Sequence, residues 1–125
     1  MKYLGIVVTE SLENANILKR FNILKRKRSG NDGWELCQIQ IDKGQIKAIT
    51  KMLKKNEPWY MHFWLNDKII VAYRERIFEF SFSDKETWNP AVDYGLKLGI
   101  PKRQLDFLID ELWYISSNFR ETTLE

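Results

Sequence analysis

An alternating run of aromatic and aliphatic residues, "WYMHFWLNDKIIVAYRERIFEFSF", occupies the middle of the chain from Trp59 to Phe82. Alternation of this kind predicts β-strands, because successive side chains of a strand point to opposite faces of a sheet. Two short polar breaks, Asn66-Asp67 and Glu75-Arg76, predict two-residue turns. The stretch therefore predicts a three-stranded antiparallel meander.

Two-residue turns also predict the register of this meander. Val71 then lies opposite His62 on one side and opposite Phe80 on the other. The parity of the strands assigns each side chain to a face. One face carries only apolar or aromatic side chains apart from His62: Tyr60, His62, Trp64, Ile69, Val71, Tyr73, Phe78, Phe80 and Phe82.

The residues before the second helix predict three strands and a first helix. "KYLGIVV", Lys2 to Val8, is a compact apolar run, typical of a central strand that is buried on both faces. A first helix is expected to begin at Ser11 as N-cap. Residues 22–28 fit either an extension of that helix or a strand. The Gly-rich "SGNDG" that follows them favours a hairpin with "WELCQIQI", residues 34–41.

A second helix over about residues 43–55 is predicted by Asp42 as N-cap, Gln45 three residues later and apolar residues at helical spacing. The element order is then strand, helix, strand, strand, helix, strand, which is the β-α-β-β-α-β order of ferredoxin-like folds. The class predicted is α+β: a ferredoxin-like antiparallel sheet, extended by the meander to about six strands.

The C-terminal third is expected to be helical. Ser83 with Glu86 fits a capping box, Pro90 fits a first helical turn, and Gly99 fits a helix end. Apolar residues at helical spacing from Leu105 to Phe119 predict a further helix. A chain of 125 residues with this pattern predicts one domain, 1–125.

The apolar run at the N-terminus is too short for a signal peptide or a membrane span, so we expect a cytoplasmic protein without a membrane segment. Cys37 is the one cysteine and His62 the one histidine. A single cysteine cannot form an internal disulfide, and one cysteine with one histidine provides too few ligands for a Cys/His zinc site. No metal and no cofactor are expected.

Positive charge is concentrated in the first half of the chain. Residues 1–62 carry 12 Lys and Arg against 6 Asp and Glu, whereas residues 63–125 carry 8 against 11. In "KRFNILKRKR", six of ten residues are basic. This segment predicts either phosphate contacts to nucleic acid or an edge strand that is protected from aggregation by its charge. The candidate nucleic-acid-binding residues are Lys19, Arg20, Lys25, Arg26, Lys27 and Arg28.

His62 is the single candidate for a catalytic base. No G-x-S-x-G motif or second candidate base accompanies it, so catalysis is not the expected function. The alternatives are a core histidine with a hydrogen-bonded imidazole, or a small-molecule pocket. The pocket residues would be Tyr60, His62, Trp64 and Tyr73.

The first expectation for function is a non-catalytic binding or interaction module of unknown ligand. Its apolar sheet face needs a cover, from the C-terminal helix or from a second copy of the chain, so a homodimer is expected. The second hypothesis is a nucleic-acid-associated protein that uses the basic segment 19–28. The third is a small-molecule binder or enzyme with a pocket at His62.

Overall fold

Six strands form one open antiparallel sheet in the computed structural model, which describes residues 2–28 and 33–107. Their order across the sheet is β2-β3-β1-β4-β5-β6. The predicted α+β class and the number of strands are confirmed. The strands are β1 (Lys2–Val8), β2 (Asn22–Arg28), β3 (Glu35–Asp42), β4 (Tyr60–Leu65), β5 (Lys68–Tyr73) and β6 (Arg76–Ser81).

The central position predicted for β1 is confirmed, because β1 pairs with β3 on one side and with β4 on the other. Residues 22–28 are a strand and not a continuation of a helix. This strand, β2, pairs with β3 alone among the described strands and so forms one edge of the sheet. A bulge between Ile23 and Lys25 interrupts its pairing.

The first connection differs from the predicted helix. It consists of two 3₁₀ segments, Thr9–Ser11 and Ala15–Arg20, and the side chain of Asn14 caps the second. Ser11 does not act as an N-cap, because its hydroxyl donates to the carbonyl of Val8 at 2.6 Å. Backbone hydrogen bonds of Ser11 and Glu13 to a later loop flank the extended Leu12, and this prevents a continuous α-helix from starting there.

The second connection contains α1 (Lys43–Thr50), with the Asp42 amide donating to the Gln45 side chain at 3.1 Å. The predicted capping residues are confirmed at its start. The helix ends before residue 55, because Leu53 forms a β-bridge with Leu12. The Glu13 amide donates to the carbonyl of residue 52 at 2.9 Å and thereby ties the two connections together.

The meander follows the prediction across its first turn and departs from it at the second. Val71 lies opposite His62 as predicted, but its partner in β6 is Phe78 and not Phe80. The second turn is formed by residues 74–75, because Arg74 leaves the ladder and its Nε donates to the Leu53 carbonyl at 3.0 Å. A shift of two residues leaves every side chain on its predicted face.

Each face of the sheet buries its own apolar cluster. The two connections cover the first cluster, which includes Met61 and Phe63 of β4. A 3₁₀ turn (Lys85–Trp88), α2 (Asn89–Lys97) and the residues up to Phe107 cover the second. The second cluster contains these buried residues: Ile6, Trp64, Ile69, Val71, Tyr73, Phe80, Trp88, Ala91, Ile100, Leu105 and Phe107.

The face that we expected a second subunit to cover is thus packed against residues 85–107 of the same chain. Self-association stays a prediction. The apolar side chains of this face that are already buried by residues 85–107 are not available to a second copy of the chain.

The C-terminal helical prediction is confirmed in part. Gly99, with φ of +95°, follows the end of α2 in the left-handed conformation that the prediction required. Asp84 and not Ser83 caps the preceding 3₁₀ turn, because the Ser83 hydroxyl donates to Asp67 at 2.8 Å. A short 3₁₀ turn occupies Lys102–Gln104, and residues 105–107 after it are not helical. The rest of the predicted last helix, 108–119, lies outside the described residues.

Candidate functional site

His62 lies inside the second cluster. It pairs with Ile6 of β1 and Val71 of β5, and only 6% of its surface is exposed. Its ring centroid is 5.6 Å from that of Trp64, with an angle of 29° between the planes, and 6.3 Å from that of Phe107. The imidazole is therefore packed among rings rather than presented on a surface.

The ring centroids of Tyr60 and Trp64 lie 6.2 and 5.6 Å from that of His62, and the hydroxyls of Tyr60 and Tyr73 bind the cover of the sheet. The Tyr73 hydroxyl donates to the Ala91 carbonyl at 2.6 Å, and burial raises the pKa of that phenol. The Tyr60 hydroxyl donates to the carbonyl of Gln104. The structure brings the four predicted residues into one chain of ring contacts, and two of them, Tyr60 and Tyr73, attach residues 85–107 to the sheet.

The four consecutive cations of β2 point alternately to the two faces of the sheet. Arg26 lies opposite Cys37 and Lys25 opposite Gln38. On the first face, Arg26 Nη1 contacts Glu35 Oε1 at 3.0 Å. Arg28 Nη1 lies 3.9 Å from a Glu10 carboxylate oxygen. Two of the six predicted nucleic-acid-binding residues are thus paired with acidic side chains of the same protein.

Glu35 is the acidic centre of this region. The Thr9 hydroxyl donates to its Oε1 at 2.7 Å and lowers the pKa of the carboxyl, and the charges of Arg26 and Arg28 act in the same direction. Cys37 beside it is fully buried, and desolvation raises the pKa of its thiol. A buried, protonated thiol of this kind is a structural residue.

The two connections over the first cluster carry six further cations, of which five are exposed and one, Lys54, is half-buried. None of the six makes an ion pair within the described part of the chain, whereas Lys2, Lys43 and Lys68 each contact a carboxylate. We call these six residues the basic surface: Lys19, Arg20, Lys47, Lys51, Lys54 and Lys55. Two of them, Lys19 and Arg20, belong to the predicted nucleic-acid-binding set.

The basic surface is continuous with the edge strand. Lys19 and Arg20 end the 3₁₀ segment that leads into β2 after a single residue. The Lys54 amide donates to the Ser11 carbonyl at 2.8 Å, which joins the end of the second connection to the start of the first. The cations of the first connection and those of the second connection therefore lie on the same face of the sheet, the one that carries the first cluster.

Two partly exposed tryptophans lie beside this region. The rings of Trp34 and Trp59 meet edge to face, with centroids 4.8 Å apart. Trp59 packs against the first cluster, and its Nε1 donates to Glu57 at 3.0 Å. Trp34 immediately precedes β3, and it belongs to neither apolar cluster.

Sequence reasoning missed this pair and the role of Phe107. The Trp34–Trp59 contact joins residues 25 positions apart, so no local periodicity reports it. The one signal was that Trp34 is an aromatic residue directly after a glycine-rich turn. Phe107 was read as part of a continuous helix, but its φ of +42° directs it into the second cluster.

No group of three metal-binding side chains occurs within residues 2–28 and 33–107. In the same residues, every helix is too short or too polar to cross a bilayer. No protein family, curated protein or solved structure matches this chain.

Proposed function

We propose that this protein is a non-catalytic binding module for a polyanion, in the first place nucleic acid, and that the basic surface and β2 make the contact. One observation carries the proposal: the six cations of the basic surface have no acidic partner in the described structure. Other lysines of the same protein do have such partners. A surface that leaves its cations unpaired is available to phosphates.

Binding of this kind is driven by release of the counterions that surround the nucleic acid. The cations of the basic surface would enter a complex without first breaking an ion pair. Arg26 and Arg28 differ, because each would have to leave Glu35 or Glu10. We therefore assign the larger share of affinity to Lys19, Arg20 and the α1 side of the surface, and a smaller share to the arginines of β2.

The strand order supports a more specific fold assignment than the α+β class. We propose that β1 to β4 and their two connections form a ferredoxin-like unit to which β5 and β6 are added. In support, β1 lies between β3 and β4, and both connections pack on one face. The first connection departs from that pattern because it is 3₁₀ and not α-helical. The cytoplasmic location expected from the sequence stays a prediction.

The test is fluorescence anisotropy with a labelled 20-nucleotide dT strand and a labelled 20-bp duplex, titrated at several salt concentrations. If about four phosphates are contacted, the logarithm of the association constant for the single strand should fall with the logarithm of salt at a slope of about −2.8. Lys19→Gln/Arg20→Gln removes two contacts. It should reduce that slope to about −1.4 and weaken binding at low salt.

The matched control is Lys97→Gln/Lys102→Gln, which removes two exposed cations from the cover of the other face. It should leave both affinity and slope unchanged. Equal losses in the two double variants would mean that net charge alone attracts the probe. Absence of binding to either probe at 25 mM salt would overturn the proposed function.

A further inference from the structure

The two half-buried tryptophans, Trp34 and Trp59, differ from the other tryptophans of the described residues in their exposure. Of the tryptophans in the described residues, Trp64 and Trp88 are 4% and 7% exposed and belong to the second cluster. Trp34 and Trp59 are only half-buried. Trp59 still packs on the first cluster, whereas Trp34 lies outside both clusters and rests edge to face on Trp59.

Trp34 lies where β2 and β3 come together. Arg28, the last residue of β2, donates to the carbonyl of Gly33, which is directly bonded to Trp34. Arg28 is also the ladder partner of Glu35, the residue after Trp34. Arg26 and Arg28 point to the same face of the sheet, and at about 3.3 Å per residue they are about 7 Å apart along the strand. The ring is thus at one end of a short row of cations.

Proteins that bind single-stranded nucleic acid combine such a row of cations with an aromatic ring on which a base stacks. A base within a duplex is already stacked on both sides and cannot reach a protein ring unless it is flipped out. We propose that Trp34 is a stacking site for one base of a single strand whose phosphates follow β2 and the basic surface. The Trp59 ring packs against the Trp34 ring with centroids 4.8 Å apart.

This inference rests on the proposed function and adds to it that stacking on Trp34 makes the protein prefer single strands. Three probes separate the two claims: the labelled 20-nucleotide dT strand, the 20-bp duplex, and a 20-unit abasic strand that keeps the phosphates and lacks bases. The dT strand should bind at least about tenfold more tightly than the abasic strand. The affinity for the duplex, like the affinity for the abasic strand, should not depend on Trp34.

Trp34→Leu should weaken binding of the dT strand about tenfold, leave duplex and abasic binding within about twofold, and leave the salt slope unchanged. Trp34→Phe keeps a ring and should retain most of the dT affinity. Thermal unfolding of each variant checks that the fold is intact. The comparison of dT with abasic strand uses the unaltered protein, so it decides the question even if Trp34→Leu does not fold.

Equal binding of dT and abasic strands would overturn the stacking site and leave the proposed function intact. A Trp34→Leu loss that is the same for all three probes would also overturn it, because the ring would then act through the fold. If no probe binds at low salt, both the stacking site and the proposed function are wrong.

Discussion

Gly5 of β1 and Phe63 of β4 are cross-strand partners, and the Phe63 ring lies over the Gly5 Cα so closely that a Cβ at residue 5 would be 2.2 Å from Phe63 Cδ1. Phe63 is fully buried, so it cannot move away without disturbing the first cluster. Gly5→Ala should lower the free energy of unfolding by about 2 kcal/mol or more, measured by urea denaturation.

Gly44→Ala is the matched control, because a Cβ at Gly44 in α1 meets no atom within 4 Å. Alanine is the better helix former there and should raise the free energy of unfolding by about 0.5 kcal/mol. Destabilisation of similar size in both variants would contradict the close packing of Phe63 on Gly5.

Gln38 of β3 is 2% exposed, and its Oε1 has no hydrogen-bond partner in the described structure. Gln38→Met keeps the length of the side chain and removes the unsatisfied acceptor. The free energy of unfolding should rise by about 1 kcal/mol, again measured in urea. Gln40→Met is the control, because Gln40 Oε1 already accepts from Asn22 at 2.9 Å and no gain is expected. A loss of stability in Gln38→Met with no change in Gln40→Met would contradict the prediction that Oε1 is an unsatisfied acceptor.

His62 should react slowly with diethyl pyrocarbonate, because its imidazole is enclosed by Trp64 and Phe107. Phe107→Ala removes one of these rings and should increase the rate of modification several-fold at a temperature where the variant is folded. The rate is read directly, because the chain has one histidine. A fast reaction in the unaltered protein would favour the pocket hypothesis over a core histidine.

Thr9→Val should raise the pKa of the Glu35 carboxyl toward its ordinary value, because the Thr9 hydroxyl is the largest cause of the lowered pKa. NMR titration of the labelled carboxyl carbon measures it. Because the folded-state pKa is depressed, the stability contributed by Glu35 is present above about pH 4.5 and is lost as the pH falls through the lowered pKa. Thermal unfolding of Glu35→Gln should therefore depend less on pH in this range. An unchanged carboxyl pKa in Thr9→Val would contradict the assigned hydrogen bond.

The local patterns were sufficient for the strands and for the face of each side chain. The alternation around His62 predicted the second cluster. This prediction holds although the predicted register of β5 and β6 was wrong, because a shift of two residues leaves each side chain on the same face. The position of the second turn depended on the bond from Arg74 to Leu53, a contact between distant parts of the chain. The prediction of the first helix was wrong for the same kind of reason, since pairing with residues 52–54 holds Leu12 extended.

The candidate site shows the same division. The sequence alone determined that residues 19–28 form a dense run of cations and that His62 faces apolar side chains, because charge density and strand parity are local properties. Only the tertiary structure paired Arg26 with Glu35, joined Lys54 to the first connection, and set Trp34 against Trp59. Each of these depends on which strands become neighbours, and that is decided by packing of the whole sheet rather than by any one segment.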